Sequence, residues 1–243
     1  MGWRNVIRID AGIVAVAFLA TAAVVKGHSG SRDDSPRESS RAVLGLALRS
    51  PRMRTWLLAT LISAAGVDAL LVYEVPAMVR AGLTLTTAAS VAGFLGLAQL
   101  AGRLPLRWVL GQLGARNTLV LAYFVSGTAA LLMLVSGKLV LAILFSLLVG
   151  TSIGALSSLQ GIYTHELVDP RHLGALLGTQ QAFFGVGGAI GPALGGVLLE
   201  ASRSYVPTIL MITVVFAVAA SVLFVAAGHE RNAPHVAMIK SLE

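Results

Sequence analysis

The sequence predicts an all-α integral membrane protein of about seven transmembrane helices, and three observations predict it. Only 12% of the 243 residues are charged and 56% are hydrophobic, against about 25% charged in ordinary soluble domains. The mean hydropathy of +0.82 leaves too little polar surface to coat a water-soluble globule. The apolar residues are gathered into uncharged runs, most of them as long as the roughly 20 residues that cross a bilayer's hydrocarbon core as helix.

The first candidate span, residues 11–25, lies between Asp10 and Lys26. Its flanking Arg4 and Arg8, with Ala20-Thr21-Ala22 near its end, imitate a secretory signal. Cleavage there would leave the most basic stretch of the chain outside, so the segment is read as a helix. Residues 26–41, KGHSGSRDDSPRESSR, are polar and turn-rich and read as a linker. Residues 42–56, AVLGLALRSPRMRTW, suit a basic amphipathic stretch on the membrane surface, with Trp56 as an interfacial anchor. Span 55–79 follows, interrupted by Asp68 and Glu74, then 81–102, 117–137, 139–164, 173–199 and 204–228, all without charge. The chain is thus expected to comprise a single helix (1–25), a basic loop (26–54), a six-helix membrane unit (55–228) and a tail (229–243).

Charge sets the expected orientation. Cytoplasmic loops of membrane proteins carry the excess of Lys and Arg. Placing 26–54 inside puts thirteen of the eighteen basic residues on that side, with Arg4, Arg8, Arg80, Lys138 and Arg203 opposite. The expectation is a multi-pass protein of the cell membrane, N-terminus outside and C-terminus cytoplasmic. The net charge of +7 is then loop charge, and no nucleic-acid partner is called for. With no cysteine, disulfides and thiolate metal sites are excluded.

Catalytic signatures fail one by one. His165-Glu166 begins a zinc-binding H-E-x-x-H pattern, but Asp169 stands where the second histidine must be. Gly185 and Gly187 begin a dinucleotide fingerprint that ends in Ile190, with no strand before it. Gly137-Lys138 lacks the earlier glycine and following hydroxyl of a phosphate-binding loop, and span 204–228 has no lysine for retinal. No catalytic residue, metal or cofactor is expected, and the protein is not read as an enzyme.

The run GVGGAIGPALGG (185–196) sets helix breakers in a charge-free span. In lipid, small residues let helix backbones approach closely. Gly187, Gly191 and Gly195 are four apart, as are Gly188, Pro192 and Gly196, and Gly174 and Gly178. The span reads as a closely packing, bending helix, since neighbouring groups can satisfy the carbonyl that a proline frees.

A charged group within a span costs about 2.5–3.5 kcal/mol on insertion scales, so it faces a cavity or a partner. Asp68, near mid-span, is suited to carrying a proton or pairing with Arg103. Glu74 lies nearer the outer mouth. Gln99, Gln160, Gln180 and Gln181 are polar candidates for a solute pathway, and helical geometry lets at most one of the last two face it. Tyr163 and His165 fit interfacial anchors.

The stretch ELVDPRHLGALLGTQQAFFGVGGAIGPALGGVLLEASRSY (166–205) resembles the eleventh helix, and the loop before it, of major facilitator superfamily transporters. Residues 48–84 resemble that family's central loop and seventh helix. AGRLPLRWVLGQLGAR (101–116) is similar to its loop between helices eight and nine, and GWR (2–4) to the start of the sixth. The loop-motif remnant is Gly102, Arg103, Gly114 and Arg116, with Gly111 and Gln112 where the pattern carries acidic and basic residues. The resemblance implies the region from helix six to helix twelve, a six-helix half preceded by one helix. Five helices are then expected elsewhere, in a missing amino-terminal half or replaced through a homo-oligomer. The implied function is secondary active transport of an unknown small solute by alternating access, with proton coupling one option. The competing expectation is a non-transporting seven-helix receptor or scaffold, or a truncated relic.

Overall fold

The computed structural model describes Gly12, Val16, Gly45, residues 48–168 and residues 172–231, and among them there is no strand. The chain divides into two units, Met1–Glu38 and Ser39–Glu243. Of the first, Gly12 and Val16 are described and both are helical; the remainder of the expected first span lies outside the described residues, as do the linker 26–41 and the tail beyond Arg231.

Among the described residues the second unit holds six long helices: α1 (Pro51–Arg80), α2 (Leu85–Ala101), α3 (Leu106–Ala130, continued by a 3₁₀ turn over Leu131–Val135), α4 (Leu139–Leu167), α5 (Leu173–Ser202) and α6 (Tyr205–Arg231). Five are long and apolar enough to cross a membrane, and α2, at 17 residues, is shorter. At 1.5 Å per residue, the 30 residues of α1 reach about 45 Å, beyond the hydrocarbon core of about 30 Å.

The ends of these helices follow local chemistry. Pro51 opens α1, where a missing N–H and fixed φ suit the first turn. The helix therefore starts four residues before the expected span, and Pro51–Arg54 form its first turn. Thr84 caps α2 by accepting the Thr87 amide at 3.2 Å. Residues 106–113, read from sequence as loop, are helical. The break comes at Gly114, with φ 74° and ψ 165°, a combination essentially restricted to glycine. Arg203, at φ 54°, closes α5 in the left-handed conformation.

The two three-helix runs pack in matching patterns. α1 lies chiefly against α5 and α6, and α4 chiefly against α2 and α3. Such internal repeats recur in transporter halves. Phe216 of α6 fills the centre, its side chain lodged against Gly66 of α1 and Gly127 of α3. Trp56, Tyr123 and Phe145 are likewise fully buried. The outward faces are aliphatic, as in Leu97, Val140 and Val197, which suits lipid rather than water.

Candidate functional site

The face of α1 that its neighbours leave uncovered carries exposed Leu58, Leu71, Val72 and Val79. Asp68 shares that face, half-buried near mid-span, because positions three and four apart project together on a helix. Between Trp56 and Val79 the only other charge is Glu74. The carboxylate of Asp68 rests on the α carbon of Gly188 in α5, where any β carbon would overlap it. Among the described residues Asp68 has no basic partner. Arg103, its expected partner, instead donates to Ser157 of α4 at 3.3 Å.

The seam beside Asp68 is backbone on backbone. Gly187 and Gly191 sit so close to the carbonyl oxygens of Leu61 and Ala65 that a methyl group would overlap them, and Gly195 lies on the ring of Tyr73. Cα–H groups facing carbonyls at such distances recur at helix–helix interfaces. Gly188, Pro192 and Gly196 meet the same helix. The Tyr73 hydroxyl donates to the Pro192 carbonyl at 2.7 Å, and a β carbon on Gly196 would lie 3.3 Å from that hydroxyl. Gly174 and Gly178 are different: a β carbon there would meet open space.

Each end of the seam is fastened by polar groups. At one end Trp56 Nε1–H donates to the Thr164 hydroxyl at 2.9 Å, which stands 2.7 Å from the side-chain oxygen of Gln180. That bond set joins α1, α4 and α5. At the other, Tyr73 bonds α5 while Thr208 of α6 donates to the Gly195 carbonyl at 3.1 Å. Trp56 and Tyr163 are therefore not surface anchors. They are buried and meet edge to face with ring centres 5.0 Å apart.

The remaining candidates are dispersed. Glu74 turns inward, only 6% exposed, and its Oε2 has no hydrogen-bond partner. Gln180 faces inward and Gln181 outward, while Gln99 and Gln160 are half-buried. The Gln99 carbonyl is the atom on which Gly154 of α4 packs, and Gly102 packs on the Thr151 carbonyl. Gly114 and Arg116 border a separate cavity at the end where α1 begins. Sequence reasoning passed over Trp56–Thr164, Tyr73 and the Gly150–Gly154 pair. The pair alone had a legible signal, its spacing of four.

Among the described residues no group of three His, Asp or Glu side chains stands ready for a metal ion. No curated protein matches the chain. The family model described as Major Facilitator Superfamily matches residues 1–179 and 82–238. With that match over most of its length, and with its apolar, membrane-length helices, the chain belongs to the Major Facilitator Superfamily, a family of multi-pass membrane secondary transporters.

Proposed function

We propose that the six-helix unit forms one wall of a path along which a small solute crosses the cell membrane by alternating access, and that Asp68 on this wall takes up and releases a proton. The position of Asp68 carries the reading: mid-span, on the uncovered side of α1, against Gly188 and without a countercharge among the described residues. A carboxylate so placed is costly in lipid and is characteristic of proton and solute pathways. Gln181, exposed on α5, is the polar side chain proposed to share that wall. The open faces at Gly174, Gly178 and Gly185 leave room for close approach by a second unit, an amino-terminal half or another copy of the chain. The distribution of Lys and Arg favours a cytoplasmic side at the start of α1.

A test that needs no known solute uses a carbodiimide, which modifies protonated carboxyls in apolar surroundings. The expected result is modification of Asp68 that declines as the medium is made alkaline and is absent in Asp68→Asn. Asp68 left unmodified at every pH, in protein that remains folded, would refute the proton-carrying role.

A further inference from the structure

Arg103 follows directly on α2, whose helical geometry continues through Gly102. The packing of α2 on α4 fixes its depth. Gly154 lies on the Gln99 carbonyl, Gly102 on the Thr151 carbonyl, and the Arg103 guanidinium donates to Ser157 at 3.3 Å. Ser157 stands seven residues before Thr164, which is bonded to Trp56, and Trp56 stands five residues beyond Pro51. At 1.5 Å per residue, Ser157 is about 18 Å from the start of α1 and Asp68 about 26 Å, both near the middle of a helix about 45 Å long.

α2 has two exposed sides of different chemistry. One carries Leu97, Leu100 and Leu104, all well exposed, as contact with lipid requires. The other, beside α4, carries Gly96, Gln99 and Arg103, which share a side by their spacing of three and four. A β carbon on Gly96 would meet open space, so this side is open as well as polar. Among the described residues Arg103 has no acidic partner, and Ser157 takes one of the five guanidinium donors. A guanidinium at mid-depth without a counter-ion is costly against lipid and belongs to a cavity or a solute pathway.

We propose that Arg103, with Gln99 and Ser157, forms an anion-binding site on the solute path, and that the solute carries a carboxylate. The remaining guanidinium donors form a planar fork that matches the two oxygens of a carboxylate. Gln99, half-buried one turn earlier, adds an amide donor. The assignment deepens the transport reading above and rests on it. It gives the solute and the proton separate side chains, Arg103 for the one and Asp68 for the other.

The test treats the full chain in nanodiscs with phenylglyoxal, which modifies accessible guanidinium groups, and follows the peptide carrying Arg103 by mass. Benzoate and lactate are the probes, with benzamide and lactamide as their uncharged counterparts. Arg103 is expected to react, and to react more slowly with a carboxylate present but not with its amide. The protecting carboxylate is also expected to raise the thermal midpoint. In Arg103→Gln, half-saturation of that rise should move by about tenfold or more, as for the loss of charge-assisted hydrogen bonds. Asp68→Asn separates the two readings: protection retained there assigns the anion to Arg103 whatever the carbodiimide result. An Arg103 that stays unmodified while other arginines react, or that reacts at one rate with carboxylate, amide or buffer alone, overturns the anion site and leaves the proton-carrying role of Asp68 standing.

Discussion

Gly191 and Gly185 lie on one helix in the same charge-free span, yet their surroundings make opposite demands. A methyl group on Gly191 overlaps the carbonyl of Ala65, a backbone atom that cannot swing aside, while one on Gly185 meets nothing within 4 Å. Gly191→Ala is therefore expected to force α1 and α5 apart and cost about 1–3 kcal/mol. Gly185→Ala should leave the thermal midpoint in detergent within a degree or two of wild type. Equal midpoints for the two variants would contradict the close seam. Spacing in the sequence places Gly191 in a small-residue row, but whether that row is occupied depends on a partner more than a hundred residues away. The same holds for Gln180 and Gln181: their angular separation is legible, and the inward member is selected by Thr164 of another helix. Trp56 matches an aromatic at a membrane surface until that hydroxyl, 108 positions along the chain, accepts its N–H inside the bundle.

The helices themselves were largely legible, because lipid imposes long uncharged runs and water imposes their interruption. The described boundaries depart from that reading where polar residues do not end a helix. Pro51–Arg54 continue α1 outward as its first turn, and 106–113 stay helical despite Arg107 and Gln112, since charged side chains at a helix end can reach the aqueous interface. The true interruption in α3 is conformational and rests on one residue. Gly114→Ala puts a β carbon into a backbone region where side chains cost about 1–3 kcal/mol. The expected result is a lowered thermal midpoint. A Gly114→Ala protein with the wild-type midpoint would show that the neighbours, and not the glycine, hold the break.

For the whole molecule, the absence of cysteine makes accessibility directly measurable without a background to remove. Leu58 and Val72 lie on the uncovered side of α1, about 21 Å apart along the axis. If that side lines an alternating path, Leu58→Cys and Val72→Cys should respond oppositely to a membrane-impermeant maleimide, one gaining reactivity under conditions in which the other loses it. Reactivities that rise and fall together would exclude alternation about this face. Membrane class and family were readable from composition and from the glycine-rich stretch. The site was readable only as a set of polar residues, because burial and pairing are properties of the assembled bundle. One consequence follows from the two polar fastenings described above, Trp56–Thr164–Gln180 at one end and Tyr73–Pro192 at the other. A beam clamped at both ends can be carried but not easily bent. Under the proposed alternation, α1 and α5 would travel as one strut, and Asp68 would keep its glycine seat on either side.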